Sequence, residues 1–306
     1  MRWLLIGGGG FIGSHLTSFL LKNKQEVIVY DNNSFCLPGD LIATNFHRYL
    51  GDVSNTTTLA TVVNVHNPEV VCWLVAFHAY DAGENPFIKV SWLNYTLNNV
   101  LPVVATAPRK FVLFSSEAVY VPQQELIVEE SPLRWGHPRT EIQGHIITEW
   151  YTRSLCGHLK IPYMILRLSN TIGKRQFYHP VVDRLSFMID HILLKSPTLI
   201  ITNPNQARDY LYINDAIPMI YKIIRNGQGG QVYNIASGIG VTNDELLQEL
   251  IELTDPSHLP KVVDSKEANI VLSTAKSAPI AKGKITPINR ILPGLVNYRK
   301  EILGGF

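Results

Sequence analysis

Near its amino end the chain reads Trp3-Leu4-Leu5-Ile6, then Gly7-Gly8-Gly9-Gly10-Phe11-Ile12-Gly13. The apolar run is strand-like. After the glycines a helical pattern opens, with Phe11, Leu16, Phe19, Leu20 and Leu21 at the apolar positions. A buried strand, a glycine turn and a helix amino end place backbone N–H groups where they face a pyrophosphate. Gly7, Gly10 and Gly13 stand as G-x-x-G-x-x-G. The first two let the chain turn tightly and approach phosphates, and the third lets helix pack closely on strand. That spacing alone also fits an ordinary glycine-rich turn. The next apolar run, Glu26-Val27-Ile28-Val29-Tyr30, ends in Asp31, eighteen residues after Gly13. An acid there accepts hydrogen bonds from both adenosine ribose hydroxyls and repels a 2′-phosphate. Strand, turn, helix and acid in this order imply a dinucleotide site, with NAD favoured over NADP.

Further on, a short strand is expected near Phe46–Leu50, followed by Gly51-Asp52-Val53 and a helix over Thr57–His66. Asp52 is placed to reach an adenine amino group, or to act as an acid at the helix amino end. Val70–Ala76 is a near-continuous apolar run, as in a strand covered on both faces. A long helix over Asn85–Ala107 and a strand over Lys110–Phe114, ending at Ser115-Ser116, complete the alternation. Such a rhythm predicts an α/β fold with a Rossmann-type doubly wound parallel sheet. Ligands then sit beyond the carboxyl ends of the strands, where Gly7, Asp31, Ala76 and Ser116 fall.

A helix over Glu141–Leu159 and a strand over Met164–Leu168 follow. Past Gly173 prolines and loops interrupt the helices. The expected division gives residues 1–173 to the dinucleotide-binding domain, with 213–237 returning to it. Residues 174–212 and 238–306 form a smaller, carboxyl-terminal substrate-binding portion. Ile213–Asn226 reads as a helix and Val232–Ala236 as a strand. Thr242–Leu253 is a helix opened by Thr242 with Glu245 at the capping-box position.

Bulk properties exclude several classes. The chain has 306 residues, 46% hydrophobic and 17% charged, with a formal net charge of +2. This is the profile of a globular enzyme with no nucleic-acid or membrane partner. Cys36, Cys72 and Cys156 show no C-x-x-C spacing, so reduced thiols in a cytosol are expected. The first strand leaves no room for a signal peptide, which also favours a cytoplasmic location. Asn55-Thr56-Thr57 has the form of a glycosylation sequon by chance. No metal ligand set is expected.

Taken in order, the landmarks resemble the extended short-chain dehydrogenase/reductase family, specifically NAD-dependent nucleotide-sugar epimerases and dehydratases. They are Gly9–Gly13, Asp31-Asn32, Gly51-Asp52-Val53, Leu74-Val75-Ala76, Asn94, Ser115-Ser116 through Val119-Tyr120, and Arg167-Leu168-Ser169-Asn170. Arg208-Asp209-Tyr210, Asn214-Asp215-Ala216, Tyr233–Gly238 and Ser273-Thr274-Ala275-Lys276 continue the match. The resemblance implies a nucleoside diphosphate sugar bound between the two portions. It adds Phe11, Ile12, Asn32, Val53, Leu74 and Ser115 to the cofactor contacts. Ser116 would be the hydroxyl that bonds the reacting sugar oxygen, with a satisfied strand-end hydroxyl as the alternative. Arg208 would pair with the substrate diphosphate and Asn170 would contact the sugar or its phosphates. A surface ion pair for Arg208 and an Asx-type turn for Asn170 are the alternatives. Gln176, Tyr178 and His179 lie in the loop that closes over the nucleotide.

One departure matters. The family's chemistry rests on Tyr-x-x-x-Lys on one helix face. Counting back from Arg167–Asn170, the tyrosine position falls on Glu141 and the lysine position on His145, with Glu149 a turn further on. Counting forward from Ser131-Pro132-Leu133 gives Arg139 and Gln143 instead. Neither register holds a tyrosine or lysine, and the nearest tyrosines are Tyr120 and Tyr151. Glu141 and His145 are one helical turn apart, so Glu141 could act as general base while His145 donates to the cofactor's ribose hydroxyls or supports the carboxylate, replacing the proton relay; an ordinary polar contact is the alternative. Glu117 is a third candidate acid or base. Ala118 stands where the family's dehydratases carry a glutamate, which disfavours dehydration. Three functions follow: epimerisation or keto-sugar reduction with NAD, a non-redox isomerisation, or dinucleotide sensing without turnover. By resemblance the helices over Asn85–Ala107 and Glu141–Leu159 would build a homodimer.

Overall fold

A computed structural model of the chain describes residues 1–32, 37, 43–75, 98–99, 102–103, 110–176, 184–195, 200–254, 261–263 and 268–304. The first half runs β1 (Arg2–Ile6), α1 (Phe11–Lys22), β2 (Glu26–Asp31), β3 (Phe46–Leu50), α2 (Thr56–His66), β4 (Val70–Trp73) and β5 (Lys110–Ser116). After a short 3-10 turn over Glu117–Val119 come α3 (Thr140–Leu159), β6 (Tyr163–Leu168) and β7 (Asn170–Ile172). Then follow α4 (Arg184–Leu193), β8 (Ile200–Thr202), β9 (Ala207–Tyr212), α5 (Ile213–Asn226) and β10 (Gln231–Ile235). The chain ends with β11 (Gly240–Thr242), α6 (Asn243–Leu253), β12 (Lys261–Val263), α7 (Ala278–Ala281) and α8 (Ile288–Ile302).

Among the described residues seven strands form one parallel sheet in the order β10-β6-β5-β4-β1-β2-β3. The order reverses between β1 and β4, and the crevice there is where a doubly wound sheet takes a ligand. Successive strand residues point to opposite faces. Trp3, Leu5, Val27 and Val29 therefore pack with Leu16 and Leu20 of α1 and with Ile220 and Ile223 of α5. Leu4, Ile6, Ile28 and Tyr30 pack on the other side with Leu59, Val62 and Val63 of α2 and Cys156 of α3. Both faces being covered is why these strands read as unbroken apolar runs. Each such side chain contributes roughly 2 kcal/mol by leaving water.

The expected apolar run Val70–Ala76 is strand only as far as Trp73, although Leu74 N–H still donates to Ile6 O at 2.8 Å. Cys72 and Cys156 are buried free thiols, while Cys36 lies outside the described residues. So do Ala76, Asn94, Tyr178, His179 and the helix expected over Asn85–Ala107, apart from helical residues 98–99 and 102–103. Among the described residues no helix is long and apolar enough to cross a membrane.

Beyond β6, β7 pairs parallel with β9 and β11 pairs antiparallel with it. A further apolar cluster joins Leu185, Met188 and Ile189 of α4, Leu246 and Leu250 of α6, and Leu292 and Val296 of α8. The buried Asp190–Arg299 pair crosses it, with Arg299 Nε donating to Asp190 Oδ1 at 2.7 Å. Thr242 caps α6 in a reciprocal capping box with Glu245, as its spacing predicts.

Candidate active site

Gly7 has φ +82°, a region that L side chains rarely adopt, and a Cβ there would lie 2.9 Å from the backbone of Leu74 and Val75. At Gly13 a Cβ would meet Gly8 Cα at 2.6 Å, so helix and turn touch backbone to backbone. Gly10 is different: it is exposed, and its nearest protein atom to a built Cβ is Gly7 O at 3.5 Å. The open side of Gly10 adjoins the amino end of α1, which has no side-chain cap. Uncapped amides and a Cβ-free approach fit a pyrophosphate. Phe11 and Ile12, the first residues of the helix, are half-buried there.

Asp31 closes β2 beside this loop, and Gly9 N–H donates to its Oδ2 at 2.7 Å. Asn32 Nδ2 donates to Asp52 Oδ2 at 3.3 Å. Asp52 Oδ1 accepts from Ser54 N–H at 2.9 Å and from Ser54 Oγ at 2.6 Å. Burial pushes the Asp52 carboxyl up, but the Ser54 and Asn32 hydrogen bonds outweigh it and hold the group below its usual range. The cap of α2 is Asn55, whose side chain accepts from Thr58 N–H, and Asp52 does not supply it. Val53 turns its side chain into the core.

At the end of β5, Ser116 Oγ accepts from Ala118 N–H at 3.2 Å and so opens the 3-10 turn. Glu117 follows and is 4% exposed. Asn170 Nδ2 donates to Glu117 Oε1 at 2.5 Å, and Arg208 Nη1 stands 4.0 Å from the same oxygen. Burial raises the Glu117 carboxyl to about 8, helped by Asp209 and opposed by Arg208, Asn170 and Arg134. The acid is therefore mostly protonated at neutral pH. Its Oε2 and Arg208 Nε are buried without a hydrogen-bond partner among the described residues. Asp209 does not pair with its neighbour. Alternation along β9 turns it the other way, to accept from Ser237 N–H (2.9 Å), Ser237 Oγ (2.8 Å) and Gly238 N–H (2.8 Å).

Helix α3 packs against β5 and the 3-10 turn. Its register is set by Glu149, which accepts from Ser115 Oγ at 2.6 Å and from Arg167 Nε and Nη2 at 2.9 and 2.6 Å. Ser115, Glu149 and Arg167 are all buried. Arg167 also donates to Glu129 O at 2.9 Å and lies 4.6 Å over the Tyr120 ring. Tyr120 is fully buried, and its hydroxyl donates to Asn234 Oδ1 at 2.7 Å. Burial pushes its pKa up to about 12 against the pull of Arg167, so it is no substitute for a catalytic tyrosine.

One turn before Glu149, His145 shares its helix face. Burial holds the His145 imidazole below its ordinary pKa, against Glu149 and Glu141, which leaves it neutral at pH 7. Glu141, a further turn back, forms an ion pair with Arg139, and its influence on His145 is electrostatic. Of the alternative register, Arg139 is thus taken up by Glu141. Gln143 accepts from Gly136 N–H at 3.2 Å and donates to Arg134 O at 2.7 Å. Those bonds turn Gln143 toward the preceding loop.

The buried Glu149–Arg167 pair and the meeting of Glu117 with Asn170 and Arg208 escaped the sequence analysis. A lone arginine inside the apolar strand Met164–Leu168 was the available signal, since such a charge needs a partner. A cavity of about 490 Å³ lies elsewhere, between Tyr210, Ser237, Val241, Asp244 and Ile288, and contains none of the expected site residues.

Residues 3–236 match the family described as "NAD dependent epimerase/dehydratase family". Among relatives, a dTDP-D-glucose 4,6-dehydratase of Dictyostelium discoideum is 27% identical over 277 residues, 82% of this chain. The match spans 62% of that relative's length. Two crystal structures share the fold. One is a UDP-glucose 4-epimerase of Thermotoga maritima with UDP-glucose, at TM-score 0.83 and 22% identity, covering 99% of this chain and 100% of the other. The second is a UDP-glucuronic acid 4-epimerase of Bacillus cereus in complex with UDP-glucuronic acid and NAD, at TM-score 0.82 and 21% identity, covering 99% and 100%. With a glycine loop shaped for a dinucleotide and a match over most of its length, the chain belongs to the NAD-dependent epimerase/dehydratase family.

Proposed function

We propose that the protein epimerises a nucleoside diphosphate sugar, oxidising a ring hydroxyl to a ketone and reducing it again from the other face. The observation that carries this reading is the buried Glu117 beside Ser116, with its Oε2 unpartnered and Arg208 close by, a setting whose burial favours the protonated acid. NAD, held by the loop from Gly7 to Gly13 and by Asp31, supplies the hydride acceptor and afterwards the donor. Oε1 of Glu117 is engaged by Asn170, so the acidic proton belongs on Oε2. From there it keeps its proton and offers a hydrogen bond to the sugar oxygen as negative charge develops, together with the Ser116 hydroxyl. His145, kept neutral, accepts the hydroxyl proton, and Glu141 stabilises the resulting imidazolium across one helical turn. Arg208 offers its guanidinium to the diphosphate, with Asn170 and Tyr178 as further substrate contacts. Lack of a second acid after Glu117, where Ala118 stands, argues for epimerisation over dehydration. Residues 174–212 and 238–306 would cover the sugar.

His145→Asn and Glu141→Gln should each lower kcat by roughly 10²- to 10⁴-fold. NAD should still be released on denaturation and detected by mass spectrometry. Unchanged kcat in both variants would remove the pair from the mechanism. The Glu141–Arg139 ion pair favours one second reading, a dinucleotide-sensing protein without turnover. Bound NAD, with no conversion of any UDP-, GDP- or dTDP-sugar offered, would establish it. A homodimer through α3 is supported by Trp150, 56% exposed on that helix. Trp150→Glu should shift the sedimentation coefficient to that of a monomer. A cytoplasmic location remains part of the same proposal, in keeping with the free thiols of Cys72 and Cys156.

A further inference from the structure

At the opposite end of the sheet from the glycine loop, Glu26 opens β2 and His47 lies on β3. The register pairs Ile28 with His47 and Tyr30 with Tyr49. Side-chain alternation therefore puts Glu26, His47 and Tyr49 on one face, the face that α2 covers. His66 is the last residue of α2 and comes down onto that face. Its Nδ1 is 3.8 Å from Glu26 Oε1, and His47 Nε2 is 3.8 Å from the same oxygen. All three ligand atoms lie within 4.8 Å of one another. Two ligands of one tetrahedral zinc ion stand about 3.3 Å apart, so small side-chain rotations would close the set.

We propose that Glu26, His47 and His66 bind a divalent transition-metal ion of the zinc type. Two further features fit a metal site. Tyr49 Oη lies 2.7 Å from His66 Nε2, so the ring nitrogen away from the metal has an orienting partner that fixes the tautomer with Nδ1 as ligand. His66 also sits at the carboxyl end of α2, where the helix dipole favours a cation. Glu26 and His47 are each about one-third exposed, so an ion and a water in the fourth position have access. Two imidazoles and one carboxylate suit zinc, cobalt or nickel and not magnesium or calcium. The bound ion would tie edge strand β3 to β2 and α2, a structural role separate from the cofactor site.

The test titrates tag-free, metal-stripped full-length protein with Zn²⁺ by calorimetry and with Co²⁺ by visible absorption. One Zn²⁺ per chain is expected, with Co²⁺ bands of a four- or five-coordinate site and a rise in melting temperature. His47→Asn, at a partly exposed position, should weaken Zn²⁺ binding roughly 100-fold, and Tyr49→Phe roughly 10-fold. Circular dichroism should show both variants folded. The proposal is overturned if the wild type gives no Zn²⁺ heat, if His47→Asn binds Zn²⁺ as tightly, or if Mg²⁺ binds equally well.

Discussion

Glu117 is the residue whose environment says most. Its carboxyl titrates near 8 in the folded protein against an ordinary 4.5. A raised acid pKa means that the folded state holds the proton more tightly than the unfolded chain does. Below 4.5 the carboxyl is protonated in both states and nothing is lost. As pH rises from 4.5 to 8, stability falls by up to about 1.4 kcal/mol per pH unit, and no further above that window. Glu117→Gln keeps the neutral shape and removes the slope. Urea unfolding at pH 5, 7 and 9 should therefore show the variant gaining on the wild type as pH rises, while turnover is lost. Parallel pH profiles would contradict the assignment. Little of this was legible beforehand. The chain places Glu117 next to Ser116, but its raised pKa comes from burial beneath distant segments, against the pull of Arg208 and Asn170, 91 and 53 positions later.

Among the elements, the turn from β1 into α1 was the most legible, because its requirements are local. Gly13→Ala would drive a Cβ to 2.6 Å from Gly8 Cα, where only backbone is available to yield. NAD affinity should fall at least about tenfold, by calorimetry, with the far-ultraviolet spectrum retained. Helix α6 and its capping box were readable for the same reason, since Thr242 and Glu245 are three positions apart. The attachment of α3 to β5 and β6 was not. Its buried fastening is Glu149 with Ser115 and Arg167, which lie 34 and 18 positions away on two neighbouring strands. Glu149→Gln leaves Arg167 charged and underpaired in the core. The expected cost is about 3–5 kcal/mol in chemical denaturation; a loss under 1 kcal/mol would show that the helix is held by its apolar face alone.

At the scale of the whole molecule, cofactor and fold are one system, because the loop that would hold NAD also joins the first strand to the first helix. Ligand that binds only the folded state stabilises it by about 2.7 kcal/mol at a hundred times Kd. Removing NAD should therefore lower the melting temperature by several degrees, and adding it back should restore the value, with NADP much weaker because of Asp31. By itself the sequence determined the parallel α/β order, the glycine loop, the acid closing β2 and most element boundaries. Each of these follows from hydrophobic period and turn chemistry within about a dozen neighbouring positions. Only the tertiary structure decided which polar groups meet: Glu117 with Asn170, Glu149 with Arg167, and Glu26 with His47 and His66. Those encounters depend on strand order and register, which set distances between segments far apart in the chain and leave no local periodicity to read.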